Sequence, residues 1–196
     1  KGFRLLATAI APISPRAGGV HVYGSSDGGH TVRAAPAPLA ERLRRVARAL
    51  NVKPHRAGVS AAAATTVYGP VDMEGHRGAD GRFYLVDLSR LFPPEAPCRE
   101  RPGAHLYRLL RPEFCQQYRD ALCSDAFSGF VAALGDEARR HNADVEDATA
   151  HLHAHVVPTF LLQNLLPLVA GAARRHLAPA ELDLVPLAHA AGVNLR

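Results

Sequence analysis

Residues 69–90 gather acids, a histidine and glycines into one short stretch, with Asp72, Glu74 and His76 before an Asp80-Gly81 turn and Asp87 closing an apolar run. Phosphoryl transfer uses such a pair of carboxylates, one near the attacking hydroxyl and one on a magnesium ion. On that reading Asp72, Glu74, His76 and Asp87 are the catalytic candidates, and Mg and ATP the cofactors. The remainder of a kinase-like site is incomplete. Lys53 follows the first helical segment instead of preceding it, no Asn lies shortly after Asp72, and residues 24–29 are not followed by Lys-Ser or Lys-Thr. The same side chains also make a structural ion network, in which Asp72 and Asp87 pair with Arg82, Arg90 or Arg111 and fix strand register. The gaps favour this structural reading, with no catalytic residue, metal or cofactor.

A second constellation is basic. Of 23 Lys and Arg residues only Lys1 and Lys53 are lysines, and the formal net charge is +5 with a pI near 9.5. Arg42, Arg44, Arg45 and Arg48 fall on the polar arc of a segment whose Leu39, Leu43, Val46 and Leu50 recur at helical spacing. Arginine forks suit phosphate, so these four are the RNA or phosphate candidates, with Arg139, Arg140, Arg174 and Arg175 as further dibasic sites. Aromatic residues make up 6% of the chain and Trp is absent, which predicts electrostatic contact without a base-stacking platform. His151 and His155 share a helical face, but no Glu follows His151 in a zinc-protease pattern. Cys98, Cys115 and Cys123 lack CxxC spacing and read as reduced thiols, the latter two as small core residues.

The elements that must position these groups fall into an order of strands first and helices later, which predicts an α+β fold. Strands are expected at 3–13, 20–23, 30–32, 56–59, 65–68 and 83–88, with residues 24–29 as the turn of a hairpin between 20–23 and 30–32. Helices are expected around 106–110, 114–123 and 127–134. A long helix is expected at 143–155, started by Asn142 or Asp144 and bent or ended by Pro158, with apolar helices at 159–176 and 179–190. The expected organisation is one domain over 1–196, with a β-rich lobe at 1–97 and a helical lobe at 98–196. Apolar residues are 47% and charged ones 21%, the balance of a chain with a buried core. No uninterrupted run reaches membrane-spanning length, which predicts a cytoplasmic protein without membrane insertion. The start at Lys1 without Met predicts a piece of a longer protein.

Several blocks occur in an order shared with a known family. They are Tyr23-Gly-Ser-Ser-Asp-Gly-Gly-His-Thr-Val32, the 69–90 stretch with Leu91-Phe-Pro-Pro-Glu95, and Leu106-Tyr-Arg-Leu-Leu-Arg-Pro-Glu-Phe114. Ser124-Asp-Ala-Phe-Ser-Gly-Phe130, the stretch from Val145-Glu-Asp-Ala-Thr149 to Val157-Pro158, and Gly192-Val-Asn-Leu-Arg196 follow. With these the chain resembles the central domain of the clustered-mitochondria (Clu) family. The resemblance implies a non-enzymatic scaffold in a cytoplasmic protein that associates with messenger RNAs for mitochondrial proteins and with translation machinery. It also implies a role in mitochondrial distribution and tetratricopeptide-like repeats downstream.

Overall fold

The computed structural model describes residues 10–98, 100, 103–174 and 182–194. Most of the expected strand at 3–13, Lys1, Arg175, parts of the expected helices at 159–176 and 179–190, and the end of the 192–196 block lie outside them. The fold is α+β, with the strands in two small antiparallel sheets and the helices concentrated after residue 112.

Strand β1 (Val20–Tyr23) pairs with β4 (Glu74–Arg77), which continues into β5 (Phe83–Val86), in the order β1-β4-β5. The expected partner of β1 at 30–32 is not a strand. Residues 24–33 instead form a loop closed by the Gly24–Arg33 backbone pair and held to the body by Ser25 N–H donating to Val71 O and Val59 N–H to Gly29 O. Inside it Ser25 Oγ accepts from Gly29 N–H and donates to Asp27, while Asp27 accepts from Thr31 N–H. That backbone hydrogen bond and the Ser25 hydroxyl hold the Asp27 carboxyl down to about 2. A loop that spends its amides on its own side chains is no phosphate cradle. Register between β1 and β4 shifts between His21 and Tyr23, a bulge that lays Tyr23 over Gly75. A Cβ at Gly75 would meet the Tyr23 Cβ at 2.8 Å, so the strand needs glycine there.

Helix α1 (Ala37–Ala49) starts behind Pro36 and buries Leu39, Leu43 and Ala47. The stripe ends on Ala47, and Val46 is left 49% exposed, because a 3.6-residue repeat carries the i, i+4, i+8 positions along the contact line. Asn51, with φ 54°, stops the helix in the left-handed region that Asn tolerates. A ribbon of β2 (His55–Ala57) and β3 (Thr65–Val67) packs beside it.

The helical part starts with α2 (Pro112–Gln117) and α3 (Gly129–Ala132), both shorter than their expected spans. Helix α4 runs unbroken over Asp136–Arg174. It starts seven residues before the expected helix, because Gly135 is the chain breaker and Asp136 and Glu137 suit the positive end. Asn142 caps elsewhere, accepting from Phe127 N–H, and Asp144 pairs with Lys53. Pro158 neither ends nor interrupts α4. Wide π-turns at Leu152–Val156 and Leu161–Leu165 precede Pro158 and Pro167, making room for rings that would collide with a regular turn. The final helix, α5, spans Leu184–Ala190.

One core joins Tyr23, Leu39, Leu43, Ala57, Val67, Val71 and Met73 to Val131 and Ala138 from the helical part. A second holds Leu110, Phe114, Cys115, Leu122, Cys123, Val145 and Leu152. Residues beyond 97 therefore complete the β-rich core. Among the described residues α4 is long and apolar enough to cross a membrane, with a stretch of mean hydropathy 1.6 that is 11% buried. Gln163 and Asn164 break its apolar run in the sequence but leave the average high. A core helix of a larger assembly has the same composition.

Candidate functional site

Two places could do chemistry: the acidic block with its surroundings, and the arginine face of α1. The acidic block lies on and around the β4–β5 hairpin. Asp72 receives a two-pronged contact from Arg90, at 2.9 and 3.0 Å. Glu74 is 2.9 Å from His76 Nε2 on the same strand. Asp87, exposed at φ 57°, accepts from Ser89 at 3.2 Å. No three His, Cys, Asp or Glu side chains converge as metal ligands among the described residues. With Asp72 held by Arg90 and Asp87 turned to its own loop, these residues do not fit a magnesium–ATP pair.

The expected ion network is redrawn by the fold. Arg90 is its hub, but Arg82 approaches Asp80 at 3.9 Å, Arg111 clasps Glu113 at 2.8 Å, and Asp87 takes no arginine among the described residues. The second acid on Arg90 is Asp125, at 3.1 Å. The fully buried Asp125 carboxylate also accepts from Val71 N–H at 2.8 Å and from His55 Nε2 at 2.9 Å. His55 Nδ1 donates to Lys53 O at 2.9 Å. Both ring nitrogens thus face acceptors, as an imidazolium donating from each requires, and Asp125 accepts from Arg90 and Val71 N–H as well. Burial opposes that charge, but Cys123 and Asp125 outweigh it and hold the His55 pKa well above the ordinary 6.5. Cys123, His55 and Asp125 have the residue types of a nucleophile, base and orienter. All three are buried at 4% exposure or less, so the arrangement joins the two parts of the fold and offers a substrate no approach.

Sequence reasoning missed His55 and Asp125 because they stand 70 residues apart and neither has a spaced partner. The signal available was the Ser124-Asp125 pair in a short block with little surface character. Ser124 Oγ donates to Leu91 O at 2.6 Å, so this block ties down the end of the acidic stretch as well.

On α1 the four arginines are all exposed but split into two sets. Arg44 and Arg48, one turn apart, line a cleft of about 470 Å³ between α1 and the β2–β3 ribbon; Arg42 and Arg45 do not. Ala47, Val52, Pro54, Thr66, Tyr68 and Ala121 make up most of its walls. Arg44 donates to Tyr68 Oη at 3.3 Å and sits 5.7 Å from the ring centroid, a cation–π distance. The side chains of Arg42, Arg45 and Arg48 form no ion pair with a described residue. No carboxylate lines the cleft. Among the dibasic sites, Arg139 pairs with Asp136 and belongs to its own helix. His151 and His155, ring centroids 5.1 Å apart, line a separate hollow with Gln117 and Asn164, with no third metal-ligating side chain among the described residues. Cys115 is a core thiol pushed up to about 12 by burial.

The chain is 28% identical to Protein clueless of Drosophila virilis over 165 residues, 77% of the chain and 11% of that protein. It is 32% identical to Protein clueless of Drosophila ananassae over 157 residues, 73% of the chain and 11% of the relative. It is also 32% identical to the clustered mitochondria protein homolog of Homo sapiens over 126 residues, 63% of the chain and 10% of the relative. The chain thus spans about a tenth of the length of the curated relatives it matches. No solved structure matches it. The family model described as clustered mitochondria matches residues 1–97, the stretch carrying β1 to β5 and the arginine helix, and with these relatives it shows that the chain belongs to the clustered-mitochondria family.

Proposed function

We propose that this segment is a non-enzymatic binding module within a cytoplasmic protein of mitochondrial distribution, and that the α1 face contacts the phosphates of messenger RNAs for mitochondrial proteins. The observation carrying the reading is the exposed set Arg42, Arg44, Arg45 and Arg48, with no acidic partner for Arg42, Arg45 or Arg48 and no carboxylate in the adjoining cleft. Unpaired surface arginines at one-turn spacing match a polyanion better than they match the protein's own acids. The names of the relatives support the mitochondrial part, and translation machinery would be met through the bound messages. Tetratricopeptide-like repeats in the full-length protein would share the RNA with this module.

Fluorescence anisotropy with a single-stranded RNA across a salt series tests the reading. Affinity should fall steeply with salt, and Arg44→Gln with Arg48→Gln should lower the slope by about 1 per arginine. A flat salt response in the unsubstituted protein would remove the RNA reading.

A further inference from the structure

We propose that the cleft between α1 and the β2–β3 ribbon is a seat for one nucleoside phosphate, with the base between the apolar walls and the phosphate on Arg48. The inference deepens the phosphate-contact reading of α1 and rests on it for the role of Arg48. Its starting point is size and lining. About 470 Å³ lies within the roughly 300–1,000 Å³ of small-molecule sites, and its walls are mainly apolar with a few polar groups at fixed positions.

Charge selects the ligand's sign. Arg44 and Arg48 are the ionised side chains of the lining, so a cation would meet repulsion and an anion finds two guanidinium groups one turn apart. They are not equivalent. Arg44 is held against Tyr68 by its hydrogen bond and cation–π contact, whereas Arg48 makes neither a hydrogen bond nor an ion pair with a described side chain. Arg48 is thus the free fork.

Shape selects the rest of the ligand. Tyr68 and the anchored Arg44 give the lining a ring and a planar guanidinium, the two kinds of surface on which nucleobases stack. The rest of the lining includes the short side chains Ala47, Val52, Pro54 and Ala121. The wall is also rigid. Asn51 Nδ2 donates to the carbonyls of Cys115, Tyr118 and Asp120 at 2.8, 2.9 and 3.3 Å, and Lys53 N–H donates to Leu122 O at 2.8 Å. A preformed slot loses little entropy on filling.

The same chemistry is offered by a free nucleotide and by an unpaired nucleotide of a strand, and calorimetric titration can tell them apart. The probes are adenosine 5′-monophosphate, adenosine, inorganic phosphate and a short oligoadenylate. The monophosphate should bind about tenfold tighter than adenosine or phosphate alone, and Arg48→Gln should weaken it about tenfold while Arg77→Gln, an exposed position on β4 outside the cleft, leaves it unchanged. Thr66→Trp, an exposed strand position on the cleft, should abolish binding without lowering the melting temperature. Phosphate binding as tightly as the monophosphate, or monophosphate binding that survives Thr66→Trp, overturns the seat. Displacement of the monophosphate by oligoadenylate supports a seat for a strand's nucleotide, and indifference to the oligomer supports a seat for the free one. Salt-dependent RNA binding with no monophosphate binding overturns the seat alone, whereas monophosphate binding with a flat salt response to RNA overturns the RNA reading alone.

Discussion

At the residue scale the informative pair is His55 and His141, both buried and with ring centroids 5.8 Å apart. His55 is charged and satisfied. Among the described residues His141 has no hydrogen-bond partner on either nitrogen, with Glu137 3.8 Å from Nε2, and burial, the His55 charge and Lys53 outweigh Glu137 and Asp144 to hold its pKa below 6.5. The two act on stability with opposite signs. His55, raised in the fold, stabilises fully below its unfolded value near 6.5, and this contribution is lost as pH rises toward its folded value. His141, lowered in the fold, stabilises above the same unfolded value and loses that contribution as pH falls toward its folded value. Denaturant unfolding should therefore show a stability maximum near pH 6.5, with flanks no steeper than about 1.4 kcal/mol per pH unit from each histidine. His55→Gln should flatten the alkaline flank and His141→Gln the upper part of the acid flank. Flanks unchanged by either substitution would show that other groups set the pH response.

At the element scale the joint between α1 and α2 decides how the two parts of the fold meet. Asn51 ends α1 with a left-handed backbone and caps the carbonyls left free where α2 ends and the chain turns away. These two jobs separate by substitution. Asn51→Gly keeps the backbone conformation and removes the three side-chain hydrogen bonds, with an expected cost of about 1–3 kcal/mol in unfolding free energy. Asn51→Ala should cost more, because alanine must also bear the positive φ. Equal losses would mean the backbone conformation carries no strain. The length of α2 was not legible beforehand, since the apolar spacing of Phe114, Tyr118 and Leu122 continues past the turn where Asn51 takes the carbonyls. Pro158 misled for a related reason: proline opposes a regular helical turn, and the π-turn before it removes the conflict.

At the scale of the whole molecule the dominant feature is the uncovered apolar stretch of α4, with Leu161, Leu162, Leu166 and Val169 between 41% and 64% exposed. Single exposed leucines are ordinary, but four within nine residues of one helix make a patch. Leu162→Glu with Leu166→Glu should raise the concentration at which the segment stays monomeric in light scattering while changing stability by less than about 0.5 kcal/mol each. A large loss of stability would mean that the two leucines pack in solution more than the fold shows.

Local order in the chain was enough for the α+β class, the strand at 20–23, the strand expected at 83–88 and found at 83–86, the Asp80-Gly81 turn, the arginine helix and the family resemblance. Each of these depends on local periodicity, turn chemistry or residue order, which a linear reading carries. Tertiary structure alone decided that β1 pairs with β4 across fifty residues instead of folding back on 30–32, since a turn signal does not say which edge is free. It also put Asp125 in place of Asp87 as the second acid beside Asp72 on Arg90, and made His55 an imidazolium, because burial and hydrogen-bond partners are set by packing. The four arginines, equivalent on a helical wheel, became two outer charges and two on a cleft for the same reason: Tyr68 and the β2–β3 ribbon cover only one side of α1.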